Sequence, residues 1–144
     1  MLVDANILLY AVDEESQFHA AARSWIETAL NGSRRVGLPW MSTSAFLRIA
    51  THPRAMRNPL SAADAWRIVD EWLAAPAAWV PAPGPGYHDI FRRLTVDLDL
   101  RGNLVSDAAL AALCLEHGSA IVSADSDFAR FPELTWMNPL TPRS

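Results

Sequence analysis

The chain has 144 residues, which fits a single domain with a core of its own. Its one cysteine, Cys114, cannot form an internal disulfide, and this favours a reducing, cytoplasmic setting. All twelve basic residues are arginines, and the net charge of −4 argues against broad, non-specific coating of DNA while leaving room for a local arginine patch. No apolar run reaches membrane-spanning length and no signal-peptide pattern opens the chain, so we expect a soluble protein that is not exported.

Short apolar runs typical of strands alternate with segments of helical periodicity along the chain. In chain order we predict strand 2–4, helix 6–12, a helix from Ser16 or Gln17 to Leu30, strand 36–40, helix 42–51, helix 61–75, strand 79–80, helix 87–98, helix 107–117, strand 120–123, helical turn 125–131 and strand 134–137. This alternation is typical of an α/β fold in which helices cover both faces of a mostly parallel sheet. We expect one domain over residues 1–144, with a frayed tail from about residue 138.

Some helix ends carry their own signal in the sequence. Ser61, with Asp64 three residues later, resembles a capping box, and Gly118 is a helix stop. Inside the helix predicted at 61–75, Trp66 and Trp72 are expected to pack in the core, although a position in an interface stays open.

Aspartates lie where the predicted strands end and the next helices begin. Asp4 follows the first strand, Asp125 and Asp127 follow a later strand, and Asp107 opens a helix. Each acid alone is explained by helix capping, because a carboxylate accepts the free N–H groups of a first turn. Capping does not explain why these aspartates lie at one edge of the predicted sheet. If the strands before Asp4 and Asp125 are neighbours, these carboxylates converge outside the carboxyl ends of the sheet.

A cluster of carboxylates favours a bound cation. Like charges at short range raise one another's pKa and repel, so the arrangement is costly unless a cation compensates it. Hard divalent ions such as Mg²⁺ or Mn²⁺ bind oxygen ligands and are suited to phosphoryl chemistry. The sequence has no glycine-rich phosphate loop, no zinc-ligand spacing and no nucleophile elbow that would favour another chemistry.

Three short motifs resemble the acidic motifs of PIN-domain nucleases. They are Asp4-Ala5-Asn6, Asn103-Leu104-Val105-Ser106-Asp107-Ala108 and Ser123-Ala124-Asp125-Ser126-Asp127-Phe128. Over essentially its full length the chain resembles VapC toxins, the ribonuclease components of type II toxin–antitoxin pairs. Further matching stretches are Phe46-Leu47-Arg48, Thr51-His52-Pro53, Glu116-His117-Gly118 and Asp127-Phe128-Ala129-Arg130-Phe131-Pro132.

The resemblance implies a three-layer α/β/α PIN fold and an endoribonuclease that depends on Mg²⁺ or Mn²⁺ and cleaves a structured RNA, either tRNA or rRNA. It also implies a homodimer and a VapB-type antitoxin whose tail occupies the active groove. Its residue assignments are Asp4, Asp107 and Asp125 as metal ligands, Asp127 as an assisting acid, Asn6 as the residue that orients Asp4 or a water on the metal, and Ser106 as a cap of the helix that presents Asp107.

The chain departs from the family pattern at Ala45, where a Glu normally precedes the Phe-Leu-Arg stretch, and at Ala5, where Thr or Ser is usual. The loss at position 45 removes a full negative charge from the cluster. Two outcomes follow. In the first, the remaining acids hold a cation with extra waters, Ser42 or Ser44 contributes a hydroxyl, and the protein is a weaker or one-metal nuclease. In the second, the protein is an impaired pseudo-nuclease that acts by binding RNA or its antitoxin. A third alternative, which does not rest on the resemblance, is a domain that binds a small phosphorylated ligand.

Arginines follow the position of the missing Glu. Arg48, Arg54 and Arg57 are candidate phosphate contacts for RNA, and a scattered set of solvated side chains is the alternative. Arg130, beside Asp127, has the same two interpretations.

Overall fold

The structure is a computed structural model that describes residues 1–140. Its elements in chain order are β1 Leu2–Val3, α1 Ala5–Val12, α2 His19–Leu30, β2 Val36–Gly37, α3 Trp40–Ala50, α4 Ala62–Ala74, β3 Ala78–Trp79, α5 Tyr87–Asp97, α6 Asn103–Glu116, β4 Ile121–Val122, a 3₁₀ helix at Ser126–Arg130, and β5 Trp136–Met137. The predicted alternation of strands and helices is confirmed. Within residues 1–140 no helix is long and apolar enough to cross a membrane.

The five strands form one parallel sheet in the order β3-β2-β1-β4-β5. β1 is the central strand, with Leu2 opposite Gly37 of β2 on one side and Ile121 of β4 on the other. Since β1 and β4 are neighbours and parallel, the residues that follow them emerge at the same edge of the sheet. Asp4 and Asp125 therefore follow neighbouring strands, which is what convergence of their carboxylates requires.

The strands β1 and β4 contribute apolar side chains to a core on both faces of the sheet. Leu2 and Ile121 belong to a cluster with residues of α5, α6 and the 3₁₀ helix, while Val3 and Val122 belong to a cluster with residues of α1 to α4. Successive strand residues point to opposite faces, so two consecutive apolar residues serve both layers. The predicted α/β/α sandwich is confirmed.

Some element boundaries differ from the prediction. The helix expected to open at Asp107 begins four residues earlier, after Gly102, which has a φ of 59°. Asp107 therefore lies in the second turn of α6, and Ser106 lies within the helix. The expectation that Ser106 caps this helix is wrong, because Gly102 occupies the cap position.

A second boundary differs at the start of α3. Trp40 begins this helix, although strand 36–40 was predicted to include it. Pro39 takes an extended conformation at the helix cap, and its carbonyl accepts hydrogen bonds from the N–H groups of Ser42 and Thr43. The strand thus ends at Gly37 and Pro39 caps the helix, whereas the apolar, aromatic side chain of Trp40 favoured a strand in the sequence.

The prediction of core packing holds for one tryptophan of α4 and is wrong for the other. Trp72 packs edge-on against Phe46, with ring centroids 5.1 Å apart. Trp66 is 43% exposed and meets Trp40, which is 51% exposed, at a centroid distance of 6.5 Å. Six helical residues correspond to a rotation of about 600°, which is about 240° beyond one full turn. The side chains of Trp66 and Trp72 therefore leave α4 in different directions.

The last residues that the structure describes contact the domain. Leu140 packs against the cluster formed with α1 to α4, and its N–H donates to Asn138 Oδ1 at 3.0 Å. The frayed tail expected from about residue 138 stays a prediction. Residues 141–144 lie outside the described part of the chain.

Candidate active site

Asp4 and Asp125 begin helical segments at the carboxyl end of the sheet. Asp4 follows β1 and caps α1, with Oδ1 accepting from the Ala5 N–H at 2.7 Å. Asp125 follows β4 and caps the 3₁₀ helix, with Oδ1 accepting from the Asp127 N–H at 2.8 Å. The capping explanation is thus correct for both residues. The caps also fix the carboxylates in position, so the local role and a functional role are compatible.

Ser123 connects the two strand ends. It is fully buried directly after β4, and its Oγ donates to Asp4 Oδ2 at 2.7 Å while accepting from the Asp125 N–H at 3.0 Å. The indole of Trp136 donates to the Ser123 carbonyl at 2.9 Å and so holds the end of β4. The sequence motif contains Ser123, but its role was missed. A polar residue at the end of a buried apolar strand was the available signal.

Asn6 completes this connection. Its Nδ2 donates to Ser123 Oγ at 3.0 Å and reaches Asp4 Oδ2 at 3.4 Å, while its Oδ1 accepts from the Ala124 N–H at 3.2 Å. An amide that contacts both the first strand end and the loop after β4 restricts the orientation of the Asp4 carboxylate. This placement suits the orienting role predicted for Asn6.

Asp107 brings a further carboxylate to the same place from α6. Carboxylate oxygens of Asp107, Asp125 and Asp127 lie within 4.8 Å of one another, a spacing that one cation can bridge. Asp4, which was predicted as a ligand, is not in this group of three. It lines the same cleft as Asp107, and its charge acts on Asp107. Asp107 and Asp125 are therefore the acids common to the predicted set and the observed cluster.

The proximity of the acids changes their protonation. Burial raises the pKa of Asp107 to about 6, and the charges of Asp125, Asp4 and Asp127 act in the same direction, opposed by Arg130. Burial also raises the pKa of Asp4, against the hydrogen bonds that it accepts from Ser123 and Ala5. A carboxyl with a raised pKa in a cluster is typical of a functional site, because the cluster is unfavourable without a compensating cation.

This pKa predicts how the stability of the metal-free protein depends on pH. The folded chain binds the Asp107 proton more tightly than the unfolded chain, whose Asp has a pKa of 3.8, so stability from this group falls as pH rises from about 4 to about 6. We expect the metal-free protein in EDTA to gain more stability between pH 7 and pH 5 than its Asp107→Asn variant gains. Denaturant unfolding of both proteins at the two pH values measures the difference. Equal pH dependence in the two proteins would contradict the raised pKa.

A cleft of about 270 Å³ adjoins the carboxylates. Its lining comes from the start of α1, the first half of α6 and one side of α3. The lining residues are Asp4, Ala5, Met41, Ser42, Ala45, Arg48, Ser106, Asp107, Ala109 and Leu110. Both family departures, Ala5 and Ala45, therefore face the site. Of the serines considered as replacements for the missing Glu, Ser42 lines the cleft, whereas Ser44 is exposed and does not.

The candidate RNA-binding arginines lie in different places. Arg48 lines the cleft. Arg57 lies 3.6 Å from the carboxylate of Glu15, past the end of α1 opposite to Asp4, and Arg54 is an exposed loop residue. Arg130 donates from Nη2 to Asp127 Oδ1 at 3.0 Å and therefore belongs to the carboxylate cluster. Among the three arginines predicted to contact RNA, Arg48 is the one beside the acids.

The donor set of this site fits a hard divalent cation. The clustered side chains offer carboxylate oxygens, and neither histidine nor cysteine belongs to the group. Magnesium and manganese prefer such oxygen ligands and retain several waters, which tolerates a site with few protein ligands. The residues that could hold such an ion are Asp107 and Asp125, together with Asp127 or Asp4.

Comparison with known proteins places the chain in a family. The PIN domain matches residues 1–134. Ribonuclease VapC37 of Mycobacterium tuberculosis is 44% identical over 138 residues, which cover 96% of each chain. Ribonuclease VapC33 of the same organism is 40% identical over 140 residues, which cover 97% of this chain and 98% of that protein.

Two solved structures share the fold. VapBC2 from Rickettsia felis, bound to a DNA fragment from its promoter, has a TM-score of 0.70 at 13% identity, covering 95% of this chain and 96% of the other. VapBC-1 from nontypeable Haemophilus influenzae has a TM-score of 0.70 at 14% identity, covering 97% and 98%. The match to the PIN domain over residues 1–134, together with the identities to the mycobacterial ribonucleases, establishes that the chain belongs to the PIN-domain family and, within it, to the VapC ribonucleases.

Proposed function

We propose that this protein is an endoribonuclease that depends on Mg²⁺ or Mn²⁺ and is the toxin of a VapBC-type toxin–antitoxin module. The observation that carries this proposal is the grouping of Asp107, Asp125 and Asp127 within 4.8 Å at the edge where Asp4 emerges. Four acids at the carboxyl end of a parallel sheet, beside a cleft, are arranged for metal-assisted hydrolysis of a phosphodiester.

The residues of the site have separable roles. A hard divalent cation, when bound, polarises a phosphate, activates a water and stabilises the leaving oxygen. Asp4, Asp107 and Asp125 are the proposed ligands. Asp127 assists while paired with Arg130, and Asn6 fixes Asp4. Arg48 lines the cleft and is the cation placed to attract the phosphates of an RNA strand.

The solved neighbours support a protein partner for this chain. The solved neighbours contain a VapB with the VapC, so we propose a VapB-type antitoxin whose tail occupies the cleft. We also propose a homodimer that acts in the cytoplasm on a structured RNA, tRNA or rRNA. Size-exclusion chromatography with and without the antitoxin determines the assembly.

Inducing the protein and sequencing RNA ends tests the activity directly. We expect growth arrest together with new 5′ ends at a defined position in one class of RNA, because a site-specific endonuclease leaves a fixed cut. The Asp4→Asn protein, induced to the same level, is expected to give neither. Purified protein should cut the same RNA in Mg²⁺ and stop in EDTA. Cleavage that continues undiminished in EDTA would overturn the metal mechanism.

Ala45 supports a second candidate function. Because the acid usual in the family is missing from the cleft, a pseudo-nuclease that binds RNA or its antitoxin without cutting is the alternative. Binding of the RNA by both the wild type and Asp4→Asn, with no new ends in either, would favour this alternative over the nuclease.

A further inference from the structure

Ser42 is a buried hydroxyl without a hydrogen-bond partner. The residue lies on α3 and is 2% exposed, and among residues 1–140 its Oγ is the one buried side-chain nitrogen or oxygen that has no partner. Burying an unpaired hydroxyl costs stability, so such groups are rare and point to an ion, a water or a function.

Other hydroxyls in the helices avoid this cost. Thr43, the next residue of α3, donates to the Trp40 carbonyl at 3.3 Å, and Thr51 at the end of the helix donates to the Leu47 carbonyl at 2.7 Å. Bonding back to the preceding turn is the ordinary solution for a hydroxyl in a helix. Ser42 has no such bond, so its oxygen stays available to a ligand.

The position of Ser42 relates it to the acids. It lines the cleft together with Asp4 and Asp107, and Ala45 lies three residues further along α3 on the same cleft-facing side. Ser42 therefore shares a side of the cleft with position 45, where the resemblance to the family implies a Glu. A serine has three staggered rotamers, so its Oγ can turn toward the cleft from a position beneath the surface.

We propose that Ser42 supplies a neutral oxygen donor to the divalent cation of this site, in place of the carboxylate absent at position 45. The inference rests on the proposed metal-dependent function. A hydroxyl contributes less than a carboxylate, so the cation keeps more of its water and binds less tightly than in a relative with the Glu. As a weak, neutral donor, Ser42 positions the ion and its hydration shell.

Titration of the metal-free protein with Mn²⁺, without RNA, tests the proposal by a readout independent of catalysis. We expect Ser42→Ala to weaken Mn²⁺ binding by about tenfold, the size of effect typical of groups that support a metal site. Ser44→Ala is the matched control, because Ser44 lies on the same helix but is exposed and outside the cleft, and it is expected to bind Mn²⁺ as the wild type does. Metal-free Ser42→Ala should unfold at the same or a higher denaturant concentration, since it buries no unpaired oxygen.

A double variant separates a metal role from a structural one. Adding Ala45→Glu to Ser42→Ala is expected to restore Mn²⁺ affinity at least to the wild-type level. Unchanged Mn²⁺ affinity in Ser42→Ala, or loss of its folding stability, would overturn the proposal. If the wild type binds Mn²⁺ and Asp4→Asn does not, the metal site remains supported even when Ser42→Ala binds Mn²⁺ as the wild type does. Absence of Mn²⁺ binding by the wild type would overturn both.

Discussion

Asp107→Asn is expected to reduce Mg²⁺-dependent RNA cleavage by at least about 10²-fold, and to below detection in a standard gel assay. The amide has the shape of the carboxylate but lacks its charge, and Asp107 is the acid shared by the cleft and by the group with Asp125 and Asp127. Single-turnover cleavage of the RNA identified by end sequencing, measured across a range of Mg²⁺ concentrations, gives the effect.

The matched control for this variant is Asp70→Asn. Asp70 is exposed on α4 and does not line the cleft, so the same chemical change there should leave cleavage unaltered. Because Asp107→Asn also removes repulsion among the acids, its metal-free form should be at least as stable as the wild type at pH 7. Full cleavage by Asp107→Asn would exclude the carboxylate cluster as the catalytic centre.

Ala45→Glu is expected to raise affinity for Mn²⁺ by about tenfold or more. Ala45 faces the cleft that Asp4 and Asp107 line, so a carboxylate there adds a charged oxygen donor to the acids already present. The same charge adds to the repulsion in the metal-free protein, whose stability should fall at pH 7 and recover when Mn²⁺ is added. Calorimetric titration and denaturant unfolding with and without Mn²⁺ measure the two effects.

Ala45→Gln separates charge from size in this experiment. Its side chain is as long as that of Glu but neutral, so it should give little of the gain in affinity and little of the loss in metal-free stability. Equal Mn²⁺ affinity in Ala45→Glu and the wild type would show that position 45 does not reach the ion. The proposal that Ser42 takes the place of the acid missing at position 45 would then be overturned.

The sequence predicted the fold and the location of the acids because both depend on local patterns and on one topological rule. Apolar pairs such as Leu2-Val3 and Ile121-Val122 identify buried parallel strands, and acids directly after them mark the carboxyl edge of the sheet. Ser61 capped its helix as expected, with Oγ accepting from the Asp64 N–H at 3.1 Å. These features involve residues close in sequence, where propensities and spacing are informative.

The rest depended on contacts between residues far apart in sequence. Nothing local to Ser123 indicates that its hydroxyl meets Asp4, which is 119 positions away. Nothing local to Asp127 shows that its carboxylate groups with those of Asp107 and Asp125 within 4.8 Å. The placement of Arg57 beside Glu15, and the difference between buried Ser42 and exposed Ser44, likewise follow from how α1 and α3 pack. Sequence periodicity predicts which residues share one face of a helix, whereas only the packed structure shows which distant residues that face contacts.

The hydrogen bond from Ser123 to Asp4 has a consequence for synthesis of the protein. The ribosome makes Asp4 more than a hundred residues before Ser123 and Asp125, and β1 lies between two strands only when β4 pairs beside it. A nascent chain therefore carries no assembled carboxylate cluster until β4 and the residues after it have been made. Fragments that end before β4 are expected to be inert, so synthesis of this segment is the step at which the acidic centre forms.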